Sequence, residues 1–331
     1  MMIYKKSILI TSFIILLALV LNFIALGWGF WAHKKLNRMA VFTLHPDMIG
    51  FYKKHIDFIT ENAVNPDKRR YAYPEEAPRH YIDMDRYGLN PFDSVPKKWN
   101  DAVAKYGEDT LLAHGIVPWH IEKMYYRLVN AFKEQNTFKI LNTSADIGHY
   151  IGDAHVPLHC TSNYNGQLSN QHGIHGFWES RLPEFFGEDY NYFTGRAFYI
   201  KDLNYTIWQI IEESFNAVDS VLAFEKDLND SFSSDQKYAY EQRGGTTVRT
   251  YSKEYSEAYD KMLNGMVERR ARQSIIIIGS IWFSAWVDAG QPDLEKLSDY
   301  EISDEIRKQI EEEEKMWRTG KVKNHKGHTD E

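Results

Sequence analysis

Five potential metal ligands lie at regular spacing in the middle of the chain. His149 and Asp153 are four residues apart, as are His175 and Glu179, and His159 lies between the two pairs. Residues four apart leave the same face of a helix, so each pair is able to bind one cation. Zinc accepts imidazole and carboxylate ligands, and a catalytic zinc keeps one position open for water. Five donors are too many for one such ion, so the spacing predicts a zinc cluster.

Helical patterns account for most of the chain. Apolar positions recur three and four residues apart over 34–62, with a break at His45-Pro46, and over about 98–106, 118–135, 137–153, 175–181, 205–230 and 250–288. Residues 274–287 are apolar on nearly every face but too short to cross a membrane, which predicts a central buried helix. Residues 65–96 and 161–174 have no such period and are expected to be loops. The chain is predicted to be an all-α, multi-helix single domain.

The N-terminal residues have the pattern of a secretory signal peptide. Met1–Lys6 is short and basic, the stretch 7–27 is almost uninterruptedly apolar, and Ala25 and Gly27 supply small residues before a cleavage point. We therefore expect export to the periplasm or the exterior, with cleavage directly before Trp28. About 20 apolar residues can also span a bilayer, so an uncleaved membrane anchor is the alternative.

Charge and cysteine content exclude some classes of protein. The formal net charge is −7, and removal of residues 1–27, which contain two lysines and no acidic residue, would make it −9. An acidic surface is unlike that of a protein that binds duplex DNA tightly. The single cysteine, Cys160, rules out an intramolecular disulfide. Metal binding and core packing are left as the sources of stability.

Four motifs together resemble those of a known superfamily. They are W-G-x-x-x-H at 28–33, R-H-Y-I-D at 79–83, G-H-Y-I-G-D-A-H-V-P-L-H at 148–159 and H-G-x-W-E at 175–179. This combination is similar to that of the zinc-dependent phospholipase C and single-strand-specific nuclease superfamily. Its members are all-helical and carry three zinc ions, so the resemblance implies three Zn²⁺ ions here.

The resemblance also implies which residues hold each ion. By similarity, Asp67, His80, His149 and Asp153 would hold one zinc ion; His159, His175 and Glu179 a second; and Trp28, His33 and Asp153 the third, with Asp153 bridging two ions. Trp28 would bind through its own free amine and carbonyl, which requires removal of residues 1–27. The implied domains are a signal peptide at 1–27, a hydrolase domain at 28–293, and a charged helix with a disordered tail at 294–331.

The activity implied by the resemblance is hydrolysis of a phosphodiester by a zinc-activated water. Asp67 is the expected residue to orient that water or take its proton. Three zinc ions and three carboxylates leave a charge of about +3, which suits a phosphate ester. A second interpretation, from another class, is a helical protein that uses zinc for stability alone.

The substrate is left open between two kinds of phosphodiester. The H-x-x-x-E pair and the absence of a basic patch favour a phospholipid or a small phosphodiester, with contact to a membrane surface. The five-residue step from Trp28 to His33 favours a single-strand-specific nuclease or 3′-nucleotidase. The oligomeric state is not determined by the sequence.

Several further residues are candidates for supporting roles. A nucleobase would need an aromatic stacking platform, and the aromatic residues near the motifs are Tyr71, Tyr73, Tyr81, Tyr164 and Phe177. Asp146 is a candidate to orient a ligand imidazole. His155 is expected to point away from the metals, and His172 is the substitute for His175 if the register differs. His325 and His328, in the charged tail, are expected to be exposed and without a role.

Overall fold

The computed structural model describes residues 28–70, 72–243, 245–299, 303–319 and 328. The predicted signal peptide at 1–27 therefore lies outside the described residues. Within the described ranges, none of the helices has the length and apolarity needed to cross a membrane.

Helices make up most of the described chain, which confirms the all-α prediction. Their bounds are α1 Trp28–Ala40, α2 Pro46–Lys54, α3 Ile56–Glu61, α4 Asn65–Arg70, α5 Pro91–Ser94, α6 Trp99–Tyr106, α7 Glu108–His114, α8 Val117–Lys133, α9 Thr137–Ala154, α10 Ile174–Gly176, α11 Leu182–Phe186, α12 Leu203–Ser231, α13 Lys253–Leu263, α14 Met266–Asp288 and α15 Asp304–Thr319. A π-helical turn at Phe177–Arg181 continues α10 into α11.

The centre of the main core is α14, which packs against α1, α8 and α9. Ile275, Ile278, Ile281 and Trp282 are fully buried there. This confirms the prediction of a central buried helix over residues 274–287. The packing holds α1 and α9 side by side, and these two helices carry His33, His149 and Asp153.

Two glycines bring α1 unusually close to α9. A Cβ atom on Gly148 would lie 2.0 Å from Asn37 Oδ1, and one on Gly152 would lie 3.0 Å from His33 Nδ1. The Asn37 side chain instead donates a hydrogen bond to the Ala145 carbonyl at 2.9 Å. Glycine weakens a helix interior, so its presence here is explained by this close contact between the two helices.

We expect Gly148→Ala to lower the free energy of unfolding by up to about 2 kcal/mol. Overpacking costs about 1–3 kcal/mol, and the higher helix propensity of alanine offsets about 1 kcal/mol of that. Gly50→Ala is the matched control, because Gly50 lies inside α2 and a Cβ atom added there would have no neighbouring atom within 4 Å. This variant should leave stability unchanged or slightly raised. Denaturant unfolding measures both variants. If Gly148→Ala and Gly50→Ala had the same free energy of unfolding, the close packing of α1 on α9 would be contradicted.

The C-terminal half departs from the predicted helices in two places. The predicted helix over 250–288 is divided, because Asn264 and Gly265 adopt left-handed backbone angles, with φ of 49° and 72°, between α13 and α14. A hairpin of two antiparallel strands, β1 Tyr238–Arg243 and β2 Thr246–Tyr251, precedes α13. The sequence did carry a signal for the hairpin, namely a Gly-Gly pair followed by alternating β-branched residues.

The hairpin and α13 form a second, aromatic core beneath the π-helical turn. Phe177 stacks on Tyr251 with 3.8 Å between ring centroids, and Tyr255 and Tyr259 lie next to it. This core supports the segment that carries His175 and Glu179. The prediction of a loop over 65–96 was also wrong at its start, because Asn65–Arg70 form α4. Asp67 lies in the first turn of this helix.

Candidate metal centre

The structure brings eight of the predicted ligand side chains together from separate segments. They are His33 on α1, Asp67 on α4, His80 in the following loop, His149 and Asp153 on α9, His159 in a 3₁₀ turn, and His175 and Glu179 on α10 and the π-helical turn. Except for Asp67 and Glu179, which are partly exposed, all are buried. The residues therefore form one compact cluster.

The first group consists of His80, His149 and Asp153. His80 Nδ1 lies 2.9 Å from Asp153 Oδ2 and 3.1 Å from His149 Nε2, and His149 Nε2 lies 3.2 Å from the same carboxylate oxygen. Asp67 Oδ1 completes this side of the cluster at 3.5 Å from His149 Nε2 and 3.7 Å from His80 Nδ1. This is the set that the sequence assigned to one ion.

The second group consists of His159, His175 and Glu179. The two Nε2 atoms are 3.2 Å apart, and Glu179 Oε2 lies 2.8 Å from His175 Nε2 and 3.3 Å from His159 Nε2. The π-helical turn keeps His175 and Glu179 on one side, as the four-residue spacing predicted. The group matches the second predicted set in membership.

A third group forms around His33 where α1 begins. His33 Nε2 lies 3.3 Å from Asp153 Oδ1 and 3.9 Å from Glu179 Oε1. A Cβ atom on Gly29 would lie 3.5 Å from Glu179 Oε1, so the backbone next to Trp28 borders this group. Glu179 was not predicted here; its two oxygens face different groups.

The distances fit tetrahedral metal coordination. Ligand atoms about 2.0–2.2 Å from a tetrahedral zinc lie about 3.3–3.6 Å from one another. The separations within the first two groups, 2.8–3.3 Å, are close to these values. The donors are nitrogen and carboxylate oxygen, the set that zinc accepts, so the residues present fit this metal.

Backbone carbonyls orient two of the imidazoles. His149 Nδ1 donates to the Ala63 carbonyl at 2.9 Å, and His159 Nδ1 donates to the His80 carbonyl at 2.7 Å. Each bond keeps a proton on Nδ1 and directs Nε2 into the cluster, which is how metal-ligating histidines are usually held. The prediction that Asp146 orients an imidazole was wrong. Its carboxylate instead pairs with Arg69 at 3.0 Å.

Glu76 lies beside His80 and was not identified from the sequence. Its Oε1 lies 3.8 Å from His80 Nε2, and its carboxylate accepts hydrogen bonds from Tyr150 and Arg79. Burial alone would raise the pKa of Glu76, but Arg69 and its other partners lower it below the usual value. A buried anion on this side favours the tautomer that leaves the His80 Nδ1 lone pair facing the cluster.

The carboxylates give the cluster a strong negative potential. Burial raises the pKa of Asp67, but His149 and the neighbouring imidazoles outweigh it and bring this pKa to about 2. Burial also raises the pKa values of Asp153 and Glu179, but the neighbouring imidazoles outweigh it, so both pKa values lie well below the usual ones. Conversely, the carboxylates overcome burial to raise the pKa of His159 to about 9. The site therefore favours cations.

We expect zinc binding at pH 7 to release protons. Burial lowers the pKa of His149, but Asp153 and Asp67 raise it well above the usual value, and the pKa of His159 is raised to about 9. Both imidazoles are therefore protonated in the metal-free protein at pH 7, and each must lose its proton to bind a metal. It follows that zinc affinity decreases as the pH is lowered.

Calorimetry in two buffers of different ionisation enthalpy counts these protons. His159→Ala should release about one proton fewer than the unaltered protein. His155→Ala is the control: burial lowers the pKa of His155 to about 3, so it is already neutral. Zinc binding without proton release at pH 7 would contradict the assignment.

The other candidate histidines do not join the cluster. His155 donates to the Ile151 carbonyl at 2.7 Å and is buried away from the donors, as predicted. His172 is exposed, so His175 holds the position in the second group.

Beside the cluster, two tyrosines form a slot that holds one planar ring. The rings of Tyr81 and Tyr164 lie on opposite faces of the His328 imidazole, with centroid distances of 3.7 and 3.8 Å and interplanar angles of 17° and 12°. Asp83 Oδ1 lies 2.7 Å from His328 Nε2 at the edge of the ring. The Tyr164 ring is 6.2 Å from that of His175, so the slot borders the second group. We call Tyr81, Tyr164 and Asp83 the ring slot.

The ring slot contains two of the aromatic residues that were predicted as candidates for base stacking. Tyr81 and Tyr164 face each other, whereas Phe177 belongs to the second core and Tyr73 lies exposed in the loop. Tyr71 lies outside the described residues. The prediction that His328 is exposed was wrong, because only 7% of its surface is accessible. His325 is not among the described residues.

The comparison with known families identifies the family to which this fold belongs. The model of the S1/P1 nuclease family matches residues 28–272, which is well over half of the chain and includes all nine predicted ligands. The chain belongs to the S1/P1 nuclease family. No curated protein matches the chain. The match confirms the resemblance inferred from the four motifs and begins at Trp28.

Membership in the S1/P1 nuclease family defines the class of reaction. It indicates a hydrolase of phosphodiester bonds. The family is zinc-dependent, and the His and Asp/Glu groups of this chain are able to hold metal ions.

Proposed function

We propose that this protein is a zinc-dependent phosphodiesterase that cleaves single-stranded nucleic acid or nucleotides. The observation that carries the proposal is the ring slot next to the metal cluster. Two parallel aromatic rings with one planar ring between them are the usual platform for a nucleobase, and each stacked base contributes about 1–3 kcal/mol. The Asp83 carboxylate at the edge can accept a hydrogen bond from a base amino or imino group.

Single-stranded substrates suit this slot better than duplex DNA. A base can enter between two rings only if it is unstacked from its neighbours, which costs least in a single strand. The acidic net charge of −7 also fits poorly with tight duplex binding. The sequence alone favoured a phospholipid or small phosphodiester; the family match and the slot instead favour nucleic acid.

We further propose that the nine predicted residues are the metal ligands. They are Trp28, His33, Asp67, His80, His149, Asp153, His159, His175 and Glu179. Asp153 would bridge two ions, since Oδ1 faces His33 and Oδ2 faces His80 and His149. Zinc bound here would supply Lewis-acid activation of water and charge neutralisation at the phosphate.

Asp67 has the position to act on the attacking water. It is partly exposed, with 20% of its side chain accessible, so it lies at the open side of the cluster. A carboxyl group with a pKa of about 2 stays ionised at neutral pH and is a weak proton acceptor. Orienting the water by accepting its hydrogen bond is therefore the role we assign to Asp67. Glu76, behind His80, adds negative charge on that side of the imidazole.

A phospholipase C-like activity is the second candidate, on the basis of a separate observation. A shallow, largely apolar pocket opens next to His33 and Glu179 and is lined by Trp31, Trp178 and Tyr192 among others. An apolar surface of this kind favours contact with part of an acyl chain. The cationic groups in its lining, Lys35 and Arg270, already pair with Glu188 and Glu213, so we rank this activity below the nuclease.

A comparison of three substrates tests the proposal. The zinc-loaded protein would be assayed with a single-stranded oligonucleotide, the same sequence as a duplex, and phosphatidylcholine vesicles. We expect the single strand to be cleaved fastest, and removal of zinc with a chelator to abolish cleavage. Faster hydrolysis of phosphatidylcholine would favour the second candidate. Bound zinc without hydrolysis of any substrate would support a purely structural role for the metal.

Export is proposed together with the activity. An N-terminal signal cut before Trp28 would create the free amine that the third group requires. N-terminal sequencing of the protein recovered from outside the cytoplasm would identify the first residue, and any start other than Trp28 would remove that amine from the metal site.

A further inference from the structure

The ring that fills the slot belongs to the chain itself. His328 contacts the slot on both faces and at its edge, and its backbone carbonyl also accepts a hydrogen bond from Arg70 on α4. The side chain is buried although it lies only three residues from the end of the sequence. A second planar ring cannot enter the slot while the imidazole occupies it.

The helix before the tail is fixed beside the metal centre. α15 packs against α4, and Lys68 Nζ lies 2.7 Å from Glu314 Oε2. α4 also carries Asp67 and Arg70, so the C-terminal segment and the catalytic cluster share one supporting helix. His328 follows the end of α15 by nine positions, so its contact with the slot is intramolecular, and such contacts have an effective concentration of about millimolar. Even a weak contact is therefore well populated.

We infer that the C-terminal tail is an internal competitor for the ring slot, with the His328 imidazole in the position of a substrate base. The inference rests on the proposed function for the identity of the ligand that it displaces. An imidazole resembles a base in being a flat heteroaromatic ring with a nitrogen at its edge. It carries no phosphodiester, so the tail can be bound but not cleaved. Substrates with a base must displace it.

The first test compares two histidine variants of the full chain. If the tail fills the slot in about nine of ten molecules, His328→Ala lowers KM for a dinucleotide about tenfold without changing kcat. His325→Ala is the matched control, with the same change in the same tail, and should keep the KM of the unaltered enzyme. Equal KM values for all three proteins would overturn the inference.

The second test measures binding without catalysis. A fluorescent peptide of residues 320–331 is added to the zinc-loaded His328→Ala protein, whose slot no longer holds its own ring. We expect a rise in anisotropy with the native peptide and none with a peptide in which His328 is alanine. No binding of the native peptide at millimolar concentration would overturn the inference.

A displacement experiment distinguishes failure of this inference from failure of the proposed function. A nucleoside monophosphate should compete with the bound peptide if both occupy the slot. If the peptide binds through His328 but no nucleotide displaces it, the tail does occupy the slot and the assignment of the slot to nucleobases fails. If a nucleotide binds but the peptide does not, the proposed function stands and the internal competitor fails.

Discussion

Replacing Asp153 with asparagine should abolish turnover and reduce the amount of zinc bound per chain. Its two oxygens face different sets of imidazoles, with His33 at 3.3 Å on one side and His80 at 2.9 Å on the other. Asparagine has nearly the same shape but only one acceptor oxygen and no charge. The two sets of donors would lose their shared carboxylate, and only Asp67 would remain as an anion beside His80 and His149.

The expected loss in kcat/KM is about 10³-fold or more, since both the metal and its electrostatic effect on the transition state depend on this residue. Zinc content by elemental analysis is the second readout. Asp146→Asn is the matched control, because Asp146 is also buried, lies about two turns earlier on α9 and pairs with Arg69. That variant should unfold at a lower temperature but keep its zinc. Full zinc content in Asp153→Asn would contradict the proposed bridge.

Removal of one wall of the ring slot should affect only substrates that carry a base. Tyr164→Ala is expected to lower kcat/KM for a single-stranded oligonucleotide by about 5- to 150-fold, the equivalent of about 1–3 kcal/mol of base stacking. An oligonucleotide with an abasic site at the position that enters the slot should be cleaved poorly by the unaltered enzyme. For this abasic substrate, Tyr164→Ala should lower kcat/KM little further, because the stacking contact is already absent.

This non-additivity is the decisive part of the experiment. Tyr240→Ala serves as the control, because Tyr240 lies on β1 with 74% of its surface exposed. Tyr240→Ala should leave kcat/KM for both substrates unchanged. Equal losses on normal and abasic substrates with Tyr164→Ala would show that the tyrosine supports the fold of the loop and does not contact a base.

The grouping of the candidate ligands was predictable in part because spacing and residue type carry direct geometric information, whereas the inclusion of His33, Asp67 and His80 came from the resemblance to the superfamily. His149 and Asp153, or His175 and Glu179, share a helix face whatever surrounds them. The carbonyl partners of His149 and His159 were not predictable, since a backbone carbonyl has no sequence signature. Glu76 was missed for a related reason: a glutamate in a loop is ordinarily solvated, and only the fold buries it against Tyr150 and His80.

Longer-range features were less accessible from the sequence. A continuous helical pattern over 250–288 concealed the turn at Asn264 and Gly265, because one asparagine and one glycine are tolerated in a helix at a modest cost. The ring slot depends on the approach of Tyr81, Tyr164 and the distant His328. Composition correctly assigned the last residues a charged character, but it gave no indication that one imidazole is buried.

The donors of the cluster come from segments far apart along the chain, from His33 on the first described helix to Glu179. No single segment holds enough of them to capture an ion tightly. Contacts between such distant segments form slowly and late, because chain closure over long separations must come first. Metal should therefore enter an already assembled helical scaffold as the final event of folding. From then on the ion would hold together the segments between His33 and Glu179, and thermal resistance would rise with the free zinc concentration of the surroundings.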